Sequence, residues 1–196
     1  MRKLIAAINM TLDGFCDHTA GIPDDEIHQH YTDLLNTADA ILYGRITYQL
    51  MEYWRTLLEN PRPTGSSGRA SDEKSMNDFA IAINKIPKIV FSHTLKNVEW
   101  ESAKLANRDI EEEVLELKQS PNGGSKDILV GSRSLIIQLM KLNLIDEYQL
   151  CVHPVVVGSG LPLFENINYR TILKLIKTKT FRGGAVTLYY EPTRND

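Results

Sequence analysis

The chain has 196 residues, 42% of them hydrophobic and 24% charged, and its 22 basic and 25 acidic residues leave a net charge of -3. This composition suits one globular domain over residues 1–196 with a full-sized core, and it excludes a broad basic surface for nucleic acid. Cys16 and Cys151 have no metal-ligand spacing, so no metal site is expected. The N-terminal apolar run is too short for a signal peptide or a membrane span, which makes a reduced, cytoplasmic protein the expectation.

Residues 4–8 read as a short buried strand, followed at 9–15 by a loop with a turn signal at Asp13-Gly14. Pro23-Asp24-Asp25-Glu26 is a helix start, with a proline and acids suited to the helix dipole. Ile27, Tyr31, Leu34 and Leu35 then form one apolar face. Residues 40–43 are a second buried strand that runs into Gly44-Arg45-Ile46-Thr47-Tyr48. After it, Ile46, Leu50, Met51, Trp54, Leu57 and Leu58 mark a helix. Residues 61–71 form a loop rich in Pro, Gly and Ser, and 72–83 a short helix. Residues 87–91 are a third strand leading to Ser92-His93-Thr94.

The acidic segment 99–116 predicts an amphipathic helix, with Ile110, Val114 and Leu117 inward and the acids on a solvated face. A turn at 121–125 precedes the strand Ile128-Leu129-Val130. That strand ends at Gly131, followed by Ser132, Arg133 and Ser134 and by a helix carrying Leu135, Ile136, Leu139 and Met140 on its apolar side. Residues 146–157 form a long β-type run in which Pro154 implies an edge or a bend. A loop at 158–164, a strand at 171–181, a turn at Arg182-Gly183-Gly184 and a strand at 185–190 complete the chain. The fold class is therefore α/β, with a mostly parallel sheet extended by a C-terminal antiparallel β-hairpin.

Three strand ends carry groups that suit a phosphorylated ligand: Gly44-Arg45-Ile46-Thr47, Ser92-His93-Thr94 and Gly131-Ser132-Arg133-Ser134. In a parallel sheet all three lie on the C-terminal edge. Two of them open helices whose free N–H groups can hold the halves of a pyrophosphate. No acid follows the third strand to accept from a ribose hydroxyl. Arg45, Ser92, His93 and Thr94 suit a 2′-phosphate instead, which favours NADPH over NADH. The G-x-G-x-x-G fingerprint is absent, so an ordinary Rossmann site is not expected.

Taken together, the motifs Met10-Thr11-Leu12-Asp13-Gly14, Gly44-Arg45-Ile46-Thr47-Tyr48, Val130-Gly131-Ser132 and residues 153–164 (HPVVVGSGLPLF) span most of the chain. In that order they resemble the dihydrofolate reductase-like family, in its branch formed by the C-terminal reductase domain of bacterial riboflavin biosynthesis. The resemblance implies a three-layer α/β/α fold, a homodimer, and hydride transfer from NADPH to a small heterocycle of pterin or aminouracil type. It implies backbone contacts from Ala6 and Ala7 to the nicotinamide and phosphate contacts from Arg45 and Thr47. Ser92 and His93 would meet the 2′-phosphate end, and Gly131, Ser132 and Leu135 would form the second phosphate turn. Residues 9–15 would be a mobile loop closing over the nicotinamide.

Two departures follow from the same motifs. Ser132 and Arg133 stand where relatives often carry glycine, so Arg133 either strengthens the pyrophosphate contact or points to solvent. The place of the pterin-binding carboxylate falls near His28, and helix capping accounts for the acids before it, which weakens the case for folate reduction. The zinc signature of a fused deaminase is absent, so a stand-alone reductase domain is expected. No catalytic residue is assigned; Asp13 and His28 are the candidates, with Asn9, His28 and Tyr48 bordering the substrate. His28 and His30 are two apart and face different ways, and His153, before Pro154, reads as structural. The competing function is a non-catalytic, dimeric nucleotide-binding or sensing domain of the same fold.

Overall fold

The computed structural model describes residues 2–59, 70–119 and 126–193. The chain runs β1 (Leu4–Thr11), α1 (Asp25–Asn36), β2 (Ala38–Gly44), α2 (Arg45–Glu59), α3 (Ala70–Lys85), β3 (Lys88–Phe91) and β4 (Ala103–Leu105). It continues with α4 (Ile110–Gln119), β5 (Asp127–Val130), α5 (Arg133–Lys141), β6 (Glu147–His153), β7 (Leu173–Thr180) and β8 (Val186–Pro192). The turn expected at 121–125 lies outside the described residues. So does the loop expected at 61–71, apart from its end, which belongs to α3.

One eight-stranded sheet has the order β4-β3-β2-β5-β1-β6-β8-β7. The six strands from β4 to β6 run parallel, β8 pairs antiparallel with β6, and β7 pairs antiparallel with β8. β1 lies in the middle, between β5 and β6, and its first five residues are all buried. A strand covered on both faces must be apolar on both, and for that reason it reads as a continuous run rather than an alternation.

Helices cover both faces. Leu135, Ile136, Leu139 and Met140 of α5 and Val114 of α4 pack with Leu4, Ala6, Ile8 and Ile128. On the other face Leu35 of α1, Tyr48 of α2 and Phe79, Ala82 and Ile83 of α3 pack with Ile5, Ile41 and Leu129. These are the three layers α4–α5, sheet and α1–α3. Each fully buried leucine or isoleucine contributes about 1.5–3 kcal/mol of burial to holding them together.

Local chemistry sets the ends of the elements. Asp24 caps α1, its carboxylate accepting from the Ile27 N–H at 2.9 Å, and Asp25 and Glu26 fill the first turn. The strand expected over 146–157 stops at His153, because Pro154 has no N–H to continue the ladder. The acidic segment divides: β4 forms at 103–105, and the helix begins only at Ile110. Glu113 of that helix is buried, against the expectation of a solvated acidic face.

Candidate functional site

The parallel register brings the three strand ends to one edge. Gly44 pairs with Phe91, so Ser92 follows beside the start of α2. Leu42 and Ala6 both pair with Val130, which sets Gly131 between the ends of β2 and β1. The helices α2 and α5 leave neighbouring strands toward opposite faces of the sheet, so their N-termini flank the same stretch of edge.

Ser132 joins the two termini. It is the N-cap of α5 but makes no side-chain cap. Its hydroxyl instead accepts from the backbone N–H of Gly44 at 2.8 Å, in a buried bond. The first N–H groups of α5 are thereby left without the side-chain acceptor that a serine at this position usually supplies, which is the condition for an anion to take that place. Gly131 does not have positive φ, so the turn itself does not require glycine. A methyl group there would face the Ala7 carbonyl at 3.7 Å and the Tyr43 ring at 3.5 Å. What glycine supplies here is open backbone close to the end of β1. Ala6 and Ala7 are buried within that strand, and Leu135 is buried beneath the helix start.

Arg45 is exposed at the start of α2, where its guanidinium donates to Gln49 at 3.2 Å, and Thr47 is partly buried in the same first turn. The Ser92 hydroxyl accepts from the N–H groups of Thr94 (3.1 Å) and Leu95 (2.9 Å), a turn that holds His93 and Thr94 out into solvent. Ser134 is exposed beside Gly44. Arg133 fits neither alternative drawn from the sequence. Its Nε donates to the Pro162 carbonyl at 2.6 Å and its Nη2 pairs with Glu165 at 2.5 Å, so its side chain anchors the 162–165 loop. Only its backbone N–H remains at the helix start.

At the end of β1 the exposed Asn9 meets two side chains. Its Oδ1 accepts from the Tyr31 hydroxyl at 3.0 Å and lies 3.1 Å from His153 Nε2. His153 is fully buried, and its Nδ1 accepts from the Ile22 N–H at 3.1 Å. Burial holds the imidazole below its ordinary pKa and the Tyr31 phenol above its own. His28, in the first turn of α1, lies edge-on to Trp54 at 5.8 Å and near Phe79 at 6.1 Å, forming an aromatic wall next to Tyr31. His30 turns the other way, toward Phe181.

Tyr48 is a correction. It is 2% exposed, and its hydroxyl accepts from the N–H groups of Glu99 (3.2 Å) and Trp100 (3.3 Å). It fastens the 99–100 segment to α2 and has no face toward a substrate.

Of the segment 9–15, expected to be a loop, the first three residues belong to β1, and the rest is bonded to residues 155–163. Leu12 donates to the Val155 carbonyl, Cys16 to the Leu161 carbonyl, and Leu163 to the Gly14 carbonyl, each at 2.8–2.9 Å. Asp17 accepts from the Leu161 N–H at 2.8 Å. Asp13 accepts from the Thr11 hydroxyl at 2.6 Å and from the N–H groups of Val157 (3.1 Å) and Gly158 (2.7 Å). These bonds hold its carboxyl below the ordinary range, with Thr11 as the largest cause. Asp13 is thus an ionised clamp between two loops, which removes it as a proton-donor candidate.

Tyr31 and His153 as partners of Asn9 escaped the sequence reading. The available signal was a histidine before a proline at the end of an apolar strand, a polar residue that burial obliges to find partners.

Comparison with known proteins agrees with this architecture. The sequence profile of the RibD C-terminal domain matches residues 2–188. The uncharacterized protein YyaP of Bacillus subtilis (strain 168) is 36% identical over 193 residues, covering 96% of this chain and 94% of that protein. A pyrimidine reductase-like protein from Corynebacterium diphtheriae superposes with a TM-score of 0.64 at 14% identity, over 99% of this chain and 93% of that one. Dihydrofolate reductase from Enterococcus faecalis, solved with NADP(H), superposes with a TM-score of 0.62 at 12% identity, over 98% and 97%. These likenesses show the dihydrofolate reductase-like fold.

Proposed function

The chain belongs to the RibD C-terminal domain family, and on that premise we propose that it is an NADPH-dependent reductase of a small pterin- or aminouracil-like heterocycle. The observation that carries the reading is the Gly44–Ser132 bond, which ties two helix N-termini together at one sheet edge and leaves the start of α5 without its side-chain cap. The arrangement fits a dinucleotide. The N–H groups at Arg133, Ser134 and Leu135 and the start of α2 at Gly44, Arg45 and Thr47 would take the pyrophosphate. Ser92, His93 and Thr94 would take the 2′-phosphate end, and the backbone at Ala6, Ala7 and Gly131 would border the nicotinamide. NADPH, when bound, supplies the hydride. Asn9 and His28, beside the aromatic wall, would hold the heterocycle, and with Asp13 ionised the accompanying proton would come from His28 or from solvent. The reading takes the chain as one cytoplasmic domain that works as a homodimer through the exposed Val156, Val157, Leu161 and Phe164; Leu163 of that loop is buried. Among the described residues no helix is long and apolar enough to cross a membrane.

The test is titration of the protein with NADPH and with NADH, followed by tryptophan fluorescence. NADPH should bind at least about tenfold more tightly, a difference of about 1.4 kcal/mol. Equal, weak binding of both would refute the 2′-phosphate site. A second reading is a nucleotide-binding sensing domain without catalysis, motivated by the carboxylate of Asp13 being tied to the Val157 and Gly158 N–H groups rather than free for a substrate. Tight NADPH binding with no oxidation across a panel of pterins and aminouracils would select it.

A further inference from the structure

We infer that Asn9 is a specificity-determining residue whose carboxamide is locked with its NH2 group toward the cleft, so that the heterocycle must present a hydrogen-bond acceptor there, a carbonyl oxygen or an unprotonated ring nitrogen. The inference deepens the proposed reductase reading and rests on it for the identity of the cleft.

The argument begins two hydrogen bonds away, at Ile22. The N–H of Ile22 can only donate, so His153 Nδ1, 3.1 Å from it, must carry the lone pair. In the neutral ring the proton then sits on Nε2, and Nε2 is a donor. Its partner 3.1 Å away must accept, which fixes that atom of Asn9 as oxygen rather than nitrogen. The Tyr31 hydroxyl, 3.0 Å from the same oxygen, is free to rotate and donates to it as well. Both lone pairs of Oδ1 are thereby occupied. Nδ2 has no partner among the described residues, and the side chain is exposed at the C-terminal end of β1. An asparagine amide can ordinarily flip by half a turn to suit either a donor or an acceptor. Here a flip would set the NH2 against the His153 Nε2–H, which can only donate, so the group offers one polarity only.

His153 therefore acts at a distance, as a positioning residue. It is fully buried, and its second nitrogen is held by backbone on the loop before α1. A site built to donate one hydrogen bond rejects a ligand that brings another donor to it, because two N–H groups are then left opposed.

Asn9→Asp tests the inference with the least disturbance. One carboxylate oxygen keeps both the His153 and Tyr31 bonds, and the other replaces the outward donor with an acceptor. Protein saturated with NADPH is titrated calorimetrically with 5,6-diaminouracil and with 1,2,3,5-tetraaminobenzene, in which amino donors replace both carbonyl oxygens and C–H groups replace both ring nitrogens. The native protein should prefer the diaminouracil by about tenfold, and Asn9→Asp should reverse the order. His153→Phe, which removes the donor that fixes the amide, should bring the two affinities within about twofold of each other while NADPH binding is retained. An unchanged order of preference in Asn9→Asp would overturn the inference. NADPH affinity, measured first in each protein, separates this from the reductase reading: loss of NADPH binding by the native protein would sink that reading, whereas normal NADPH binding with unaltered preference would sink only the role of Asn9.

Discussion

The hydroxyl of Ser132 and the backbone N–H of Gly44 stand 88 residues apart in sequence and 2.8 Å apart in space, in a bond with no exposure to water. Replacing Ser132 by alanine leaves the Gly44 N–H buried without an acceptor. The expected loss is about 1–3 kcal/mol of stability, read from urea unfolding. NADPH affinity should fall with it, because the starts of α2 and α5 lose their common tie. An unfolding midpoint identical to that of the native protein would contradict this role.

Gly131→Ala separates ligand contact from folding. The added methyl meets only ordinary contacts, at 3.5 Å to Tyr43 and 3.7 Å to the Ala7 carbonyl, and the backbone there is open to any residue. Stability should stay within about 0.5 kcal/mol of the native value. If a nucleotide lies against that backbone, its affinity should drop about tenfold or more, as seen by fluorescence titration. Unchanged NADPH affinity would remove Gly131 from the site.

Tyr48→Phe has the opposite signature. It strips the acceptor from the N–H groups of Glu99 and Trp100, the latter buried, at an expected cost of about 1–3 kcal/mol. The Michaelis constants for nucleotide and heterocycle should not move. A raised KM for the heterocycle with native stability would return Tyr48 to the cleft.

Asp13→Asn weakens the clamp on Val157 and Gly158. Hydrogen exchange at those two amides should accelerate, with little change in the core strands. Because Asp13 is ionised throughout the neutral range, the acid limb of any pH–rate profile should keep its midpoint in the variant.

Acid should destabilise the fold before it protonates most carboxylates. His30 is pushed down from 6.5 to about 4 by burial, with the ammonium of Lys179 acting in the same direction and Asp33 against it. His153 is lowered by burial too. Both rings are neutral in the folded chain, whereas the unfolded chain takes up protons as the pH drops past about 6.5. The unfolded state thus binds more protons between about pH 4 and 6.5, and stability falls as the pH is lowered through that window. His30→Phe should flatten the decline, measured by urea unfolding at about pH 5 and about pH 7. An equally steep decline in that variant would place the acid sensitivity elsewhere.

The order of elements was legible in the sequence because the central strands are apolar on both faces and each is followed by a small or polar turn. Residues 4–8, 40–43 and 128–130 are such strands, and the Gly44 and Gly131 turns fell on one edge as expected. β4 was missed: three residues of modest hydrophobicity, Ala103-Lys104-Leu105, become a strand only because β3 offers them an edge. Arg133 and Tyr48 were misplaced for a related reason. A side chain at a helix start can reach an anion or a neighbouring loop, and an aromatic hydroxyl can face a cleft or an orphan backbone N–H. The choice rests on segments some 30 and 50 residues away, Pro162–Glu165 and Glu99–Trp100. Asn9, expected in the loop after the first strand, lies within β1, which runs on to Thr11, and the polarity of its amide depends on His153 and Ile22, which no local pattern connects to it.

The bonded pair of segments around Asp13 and Gly158 has a thermodynamic consequence. Fixing a backbone residue costs about 1–2 kcal/mol in conformational entropy, and a loop that orders only around its ligand charges that cost to the binding equilibrium. Here residues 11–17 are already held by 155–163 through backbone bonds and two carboxylates before any ligand arrives. Association beside these two segments should resemble the docking of rigid bodies, with a small heat-capacity change and an on-rate unburdened by folding. Any motion should carry the two segments together as one plate, hinged where β1 and β6 end.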